Sequence, residues 1–117
     1  MMKQSKIKKI IIGGKDASGV FSLAFYGVGK HFPEFYGEFS PSYSKFIVIL
    51  RGTVCPSNRM AMWKKMDSII GNRRILEVIL ETEDDKTFSG VFKYDTFVLT
   101  DEFIEIRMVK QYDSKLV

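Results

Sequence analysis

The sequence contains few of the residue types on which most protein chemistry depends. Its 117 residues include one cysteine, Cys55, and one histidine, His31. One cysteine cannot form an internal disulfide, and these two residues are too few for the ligand set of a usual zinc site. The longest apolar runs, such as residues 46–50, are far shorter than the roughly 20 residues that cross a bilayer. We therefore predict a cytoplasmic protein without a disulfide, a metal, a cofactor or a membrane contact.

Catalytic patterns are equally sparse. A general base needs a partner that positions it, and no Asp or Glu stands at a local spacing that indicates one for His31. Cys55 precedes the predicted helix, where a thiol can be activated, but a lone cysteine is more often a small buried apolar residue. The glycines near Lys15 lack the spacing of a phosphate-binding loop, and residues 81–85 lack the order of a calcium loop. We predict that the chain is not an enzyme, with no catalytic residue and no small-molecule substrate.

The composition is that of one globular domain. A hydrophobic share of 45% and a charged share of 27% are ordinary for a folded protein, and the length suits a single core. Aromatic residues reach 14%, and such side chains are enriched in cores and at partner interfaces. We predict one domain over residues 1–117, with flexible ends at 1–6 and 112–117.

The alternation of apolar and polar residues predicts a fold made mostly of strands. Lys8 to Ile12 forms a first short strand, and Lys45 to Val54 is apolar on both faces, which is typical of a central strand. Residues 74–82, 87–94 and 103–110 alternate as a meander, with an acidic turn after the first of them. The prediction is a mostly β (α+β) fold, a β-sandwich or rolled sheet of about six to seven strands.

One amphipathic helix is predicted at about residues 57–70. Ser57 is well placed to cap its start, and Gly71 ends it. Apolar residues recur there at spacings of three and four, which predicts one face packed against the sheet. These residues are Met60, Trp63, Met66, Ile69 and Ile70.

The segment from Gly27 to Ser44 combines glycines and prolines with large aromatic residues. Glycine and proline at this density disfavour a central strand or a long helix, yet a solvated loop has little use for aromatic side chains. These side chains either fill the domain's own core or anchor a contact with another subunit, and we predict an oligomer or partner interface. Its residues are Phe32, Phe35, Tyr36, Phe39 and Tyr43.

The element order resembles that of a known family. A long strand (45–54), a single helix (59–70) and a three-strand meander containing Phe88-Ser89-Gly90-Val91-Phe92 follow an opening strand and the turn at residues 11–16. This order is similar to that of the tail-tube-like domain of tailed phages, and more closely to the N-terminal domain of distal tail proteins, which nucleate a baseplate. The resemblance extends over about residues 8–112 and is one of element order and residue class.

This resemblance implies a structural role in a virion tail, assembled in the host cytoplasm. It implies a homo-oligomeric ring, commonly a hexamer, that surrounds a channel for the transient passage of DNA and contacts neighbouring tail proteins. Short strand edges that are free in one subunit could pair with those of the next. Distal tail proteins usually have a second domain, for which this chain is too short, so a small ring component of the tail tube or the baseplate is expected as much as a true distal tail protein.

Two alternatives from other functional classes stay open. One is a small adaptor or inhibitor that binds a single host protein through apolar patches or strand edges. The other is a single-stranded nucleic-acid-binding β domain with Tyr26 or Tyr36 as a stacking platform, although the net charge of +4 is modest and the acidic residues 81–85 would repel phosphate. Its possible phosphate contacts are Lys6, Lys8, Lys9, Arg73 and Arg74.

Overall fold

The sheet of this protein closes on itself. A computed structural model describes residues 3–29 and 45–110. Its elements in chain order are β1 (Lys3–Ile12), β2 (Lys15–Asp16), β3 (Leu23–Gly29), β4 (Lys45–Thr53), α1 (Arg59–Ile70), β5 (Ile75–Thr82), β6 (Thr87–Leu99) and β7 (Phe103–Lys110). The strands form one antiparallel sheet in the order β2-β1-β3-β4-β7-β6-β5. A further pairing of β1 with β5 closes six of them into a barrel.

The prediction of a mostly β fold with one helix is confirmed. The rolled-sheet alternative is compatible with the barrel, whereas the sandwich alternative is wrong. The reason is β1, whose first half pairs with β3 and whose second half pairs with β5, with an irregularity between Ile7 and Lys9. One strand thus joins both ends of the sheet, and two separate layers cannot form.

The first strand is longer than predicted. It begins at Lys3 instead of Lys8, and residues Lys3 to Lys6 pair with Tyr26 to Leu23 of β3, although the sequence placed them in a flexible end. These residues are polar and mostly exposed, so they lack the apolar alternation by which strands are recognised. The predicted flexible end at 112–117 lies outside the described residues.

One core fills the barrel and continues under the helix. Strand residues that point inward alternate with outward ones, as Leu76, Val78 and Leu80 of β5 do. Phe21 and Phe92 are the largest of the fully buried apolar side chains. The helix adds Met66, Ile69 and Ile70 to the same cluster. Because α1 connects the end of β4 to the start of β5, it closes one end of the barrel, here called the helix end; the β5–β6 turn lies at the far end.

The helix begins two residues later than predicted and buries a different face. Residues 56–58 form a turn, in which the Asn58 side chain accepts a hydrogen bond from the Cys55 N–H. Met66, Ile69 and Ile70 are buried as predicted, but Met60 is 65% exposed and Trp63 is partly exposed. Met62 packs against the core instead. The side of the helix that carries Met60 and Trp63 therefore faces outward.

Candidate functional site

An apolar groove lies beside the exposed side of the helix. Its lining comprises Pro56, Arg59, Met60 and Trp63 around the start of α1, and Leu99 at the end of β6, and its volume is about 450 Å³. We call this the helix groove. Arg59 is the one charged lining residue among residues 3–29 and 45–110, and its guanidinium lies 3.9 Å from the carboxylate of Asp101, which is almost fully exposed. An exposed ion pair at that distance is weak, so Arg59 is available to another partner.

A second apolar surface lies on the outer wall of the barrel. Ile75 is 62% exposed and Val91 54% exposed, and Ile79 is also exposed. Glu77 lies between the two isoleucines on β5 and pairs across the strands with Val91 of β6. We call these four residues the strand patch. Apolar side chains on the solvent face of a strand are unusual where the opposite face already fills the core.

The helix groove and the strand patch are separate. Ile75 pairs with Lys93 of β6, whereas Leu99 lies six positions further along that strand, a distance of about 20 Å at the rise of a strand. The groove lies at the helix end of the barrel and the patch on its wall. One molecule therefore presents two different apolar surfaces, and each can be covered by a different neighbour.

A buried carboxylate ties three strands together elsewhere on the wall. Glu105 of β7 is 1% exposed and accepts hydrogen bonds from Arg51 Nε at 2.8 Å and Arg107 Nε at 2.9 Å. The Arg51 guanidinium lies 4.8 Å from the ring centre of Phe25 and 4.5 Å from that of Phe103. Aromatic faces attract a cation, so the rings hold Arg51 over the carboxylate. With two arginines bound to it, Glu105 stabilises the wall.

A second polar cluster closes the far end of the barrel. Asp84, in the β5–β6 turn, accepts hydrogen bonds from Ser5 Oγ and Tyr26 OH, both at 3.0 Å, and from the Thr82 hydroxyl. The Thr82 hydroxyl lowers the pKa of Asp84 most, and the Tyr26 and Ser5 hydroxyls lower it further. Burial raises the pKa of Tyr26, and its bond to Asp84 adds to this. The cluster connects β1, β3 and the β5–β6 turn.

We expect the ionised Asp84 to make stability depend on acid pH. Its pKa is lower in the folded state than in the unfolded chain, so its contribution is complete above the unfolded value of about 4 and is lost as the pH falls through the folded value. We therefore expect the urea concentration at the unfolding midpoint to fall between pH 7 and pH 2, and to fall less steeply for Asp84→Asn than for the wild type.

The matched control for this experiment is Asp85→Asn. Asp85 is the next residue of the same turn, is exposed, and its backbone N–H bonds to Thr82 O. This variant removes a charge from the same turn and leaves the Asp84 hydrogen bonds in place. Equal pH slopes for Asp84→Asn and the wild type would contradict the assignment.

The five predicted phosphate contacts do not form one surface. Lys8 and Lys9 line a shallow depression together with Asp16 and Glu81. Lys6 lies nearer the far end, where its carbonyl accepts the Glu83 N–H. Arg73 and Arg74 follow the helix at the other end of β1. The guanidinium of Arg73 lies beside Gly13, about 23 Å along the strand from Lys6.

A basic group surrounds the β1–β2 turn, and the sequence indicated only two of its members, Lys9 and Arg73. Lys15 Nζ donates a hydrogen bond to Ser68 O, 2.9 Å away in the last turn of the helix, where the helix dipole favours a cation. Lys65 approaches Gly19, and Arg73 approaches Gly13. Hydrogen bonds from Ser18 lower the pKa of Asp16, and the charges of Lys65 and Lys9 lower it further. Contacts between residues about 50 positions apart have no local signal in the sequence.

Several predicted residues fall elsewhere or outside the described residues. Tyr26 is buried in the barrel and cannot serve as a stacking platform. The predicted buried role of Cys55 is wrong, because the turn before the helix exposes it. Its Sγ lies 3.1 Å from Ser57 Oγ, and hydrogen bonds from Ser57 and from the Asn58 N–H lower its pKa. The predicted interface aromatics lie outside the described residues, as does His31; they are Phe32, Phe35, Tyr36, Phe39 and Tyr43. The proposed stacking role of Tyr36 therefore stays a prediction.

Within residues 3–29 and 45–110, no group of three or more His, Cys, Asp or Glu side chains is placed to hold a metal ion. The single helix of this part of the chain is too short and too polar to cross a membrane. Comparison with family models, curated proteins and solved structures gave no significant match.

Proposed function

We propose that this chain is a non-enzymatic structural subunit that assembles with copies of itself into a ring. The observation that supports this proposal is the exposure of large apolar side chains on both the helix groove and the strand patch. Met60, Ile75 and Val91 are each more than half exposed, although the barrel already has a closed core. Exposed apolar groups that cluster in this way are typical of surfaces that are covered by a partner.

Two different surfaces on one molecule favour a ring over a symmetric dimer. A two-fold dimer needs one continuous surface that meets its own copy, whereas a contact between two separated, unlike surfaces repeats by rotation and forms a ring where that rotation closes. Strand edges offer fewer sites for pairing between subunits than the sequence suggested. The reason is that five strands each have a neighbouring strand on both sides, namely β3, β4, β5, β6 and β7. The proposed contact is therefore made by side chains.

We propose further that this ring is part of a phage tail. The support for this is the resemblance of the element order to that of tail-tube-like domains, in which a long strand, one helix and three strands follow one another. The proposed assembly is a hexamer in the tail tube or the baseplate of the virion, formed in the host cytoplasm. It contacts neighbouring tail proteins, and DNA passes through its channel without sequence-specific contacts. The aromatic segment before β4 stays a predicted contact with the neighbouring ring or subunit.

The alternatives make use of different surfaces. An adaptor for a host protein would use the same groove and patch but would stay a monomer or dimer. A nucleic-acid-binding domain would use the basic group of Lys9, Lys15, Lys65 and Arg73, and its binding would weaken as salt rises. Asp16 and Glu81 lie among or beside these cations and oppose phosphate binding.

Light scattering of the purified protein tests the proposal directly. Between about 1 µM and 1 mM, we expect the mass to rise from the 13.5 kDa monomer to one defined ring-sized multiple, because burial of apolar surface drives association by mass action. A parallel series at about 0.5 M salt is the control, since the multiple should persist where charge attraction is screened. A monomer throughout this range would contradict assembly of the chain alone.

A further inference from the structure

We propose that the helix groove of one copy binds the strand patch of the next, with Arg59 of the first copy paired to Glu77 of the second. This inference rests on the proposed self-assembly and identifies the two surfaces and the charge pair that make the contact. It commits to a second copy of this chain as the occupant of the groove, because the charges of the two surfaces complement each other.

The strand patch requires a cation from whatever covers it. Glu77 is exposed between Ile75 and Ile79 and opposite Val91. No ion pair of Glu77 occurs within residues 3–29 and 45–110. A neutral apolar partner that covered the isoleucines would also remove water from this carboxylate, which is costly unless an opposite charge meets it. The partner of the patch must therefore be apolar with a positive group at its centre.

The helix groove has that character. Pro56, Met60, Trp63 and Leu99 supply an apolar lining, and Arg59 supplies one cation among them. Its volume of about 450 Å³ is enough to receive isoleucine side chains from the outer wall of a barrel. The guanidinium presents several donors to a carboxylate, and its contact with Asp101 at 3.9 Å is weak enough to be exchanged.

The rims of the two surfaces are complementary as well. Lys93 lies across from Ile75 and places a cation at the edge of the strand patch. Asp101 lies at the edge of the groove, and Asp67 lies one helical turn after Trp63. The groove thus contains one cation and has carboxylates near it, and the patch contains one carboxylate and has a cation at its edge. Lys64, one turn after Met60, adds a second cation on the helix side.

Charge reversal provides the test. Arg59→Glu and Glu77→Arg each place like charges in the contact, and each alone is expected to weaken assembly on the order of 100-fold. The double variant R59E/E77R restores an opposite pair and is expected to assemble near the wild-type concentration. Mass is read by light scattering, and circular dichroism checks that each variant is folded. Both positions are exposed, so the fold should tolerate the changes.

Mixing the two single variants tests the geometry of the contact. Each single variant retains one intact surface, so an equimolar mixture can form alternating rings in which every contact has opposite charges. We expect the mixture to recover assembly that neither variant shows alone. The matched controls are Lys86→Glu and Glu83→Arg in the β5–β6 turn at the far end, which are expected to leave assembly unchanged.

The outcomes separate this inference from the proposed function. If the wild type assembles and both reversals assemble equally well, the contact lies elsewhere, so the inference is overturned while self-assembly stands. If single reversals dissociate the ring but neither the double variant nor the mixture recovers it, the Arg59–Glu77 pair is wrong. If the wild type is a monomer throughout, the proposed self-assembly fails, and this inference fails with it.

Discussion

Replacing Gly52 by alanine is expected to destabilise the protein by about 3 kcal/mol or to prevent it from folding. Gly52 is buried in β4, and a Cβ atom added there would lie 1.7 Å from the carbonyl oxygen of Val20. It would also lie 3.3 Å from Cγ2 of Ile104. The oxygen belongs to the backbone and cannot rotate away as a side chain can. The chain leading into β3 would therefore have to move off β4.

That movement would disturb the barrel itself. The Ser22 N–H donates a hydrogen bond to Arg51 O at 2.9 Å, which fixes the approach of this segment to β4. Val20 and Phe21 belong to the buried core. Displacement of Val20 thus costs both packing and hydrogen bonding, which is why the expected loss exceeds that of an ordinary small-to-large change.

Urea unfolding at neutral pH measures the effect, with two controls. Thr53→Ala changes the next, exposed residue and should alter stability by less than about 0.5 kcal/mol. Gly14→Ala adds a methyl group where nothing lies within 4 Å, at a φ of +81°, and should cost about 1 kcal/mol from backbone conformation alone. A Gly52→Ala loss no greater than that of Gly14→Ala would show that the close approach is not rigid.

The second large effect is expected for Glu105→Ala, which should lower the free energy of unfolding by about 3 kcal/mol. This substitution removes the carboxylate that accepts hydrogen bonds from Arg51 and Arg107 and leaves two guanidinium groups beside each other. Arg51 is held between the rings of Phe25 and Phe103 and is only partly exposed, so it cannot recover full hydration without losing those contacts. Glu105→Gln keeps the shape and one acceptor, and is expected to cost about 1.5 kcal/mol.

A double-mutant cycle assigns this loss to the pair. If the salt bridge is responsible, Arg51→Ala and Glu105→Ala together should cost less than the sum of the single losses, with a coupling above about 1 kcal/mol. Glu102→Ala, an exposed carboxylate three residues earlier in the chain, is the control and should be nearly neutral. Additive losses would mean that Glu105 stabilises the wall by packing instead of by its charge.

The sequence by itself determined the local elements of this protein. The inward residues of β5 and β7, the acidic turn between β5 and β6, and the helix to within two residues all follow from periodicity over a few positions. The turn between β1 and β2 also follows from the local sequence. Its residues Gly13 and Gly14 adopt φ angles of 58° and 81°, which other residues rarely reach. Parts of the strand patch are also visible in the sequence, since Ile75 and Ile79 interrupt the polar face of β5.

Only the tertiary structure decided how these elements meet. Alternation shows which side of a strand is apolar, but it does not show which strands are neighbours. Barrel closure depends on pairs such as Ile12 with Val78, and the buried carboxylate on Arg51 and Glu105, which are 54 positions apart. The helix shows the same limit: its apolar residues extend over more than one side, and only the contact with the barrel decides which of them are buried. Met60 and Trp63 are left outside for that reason, and with them the proposed binding groove.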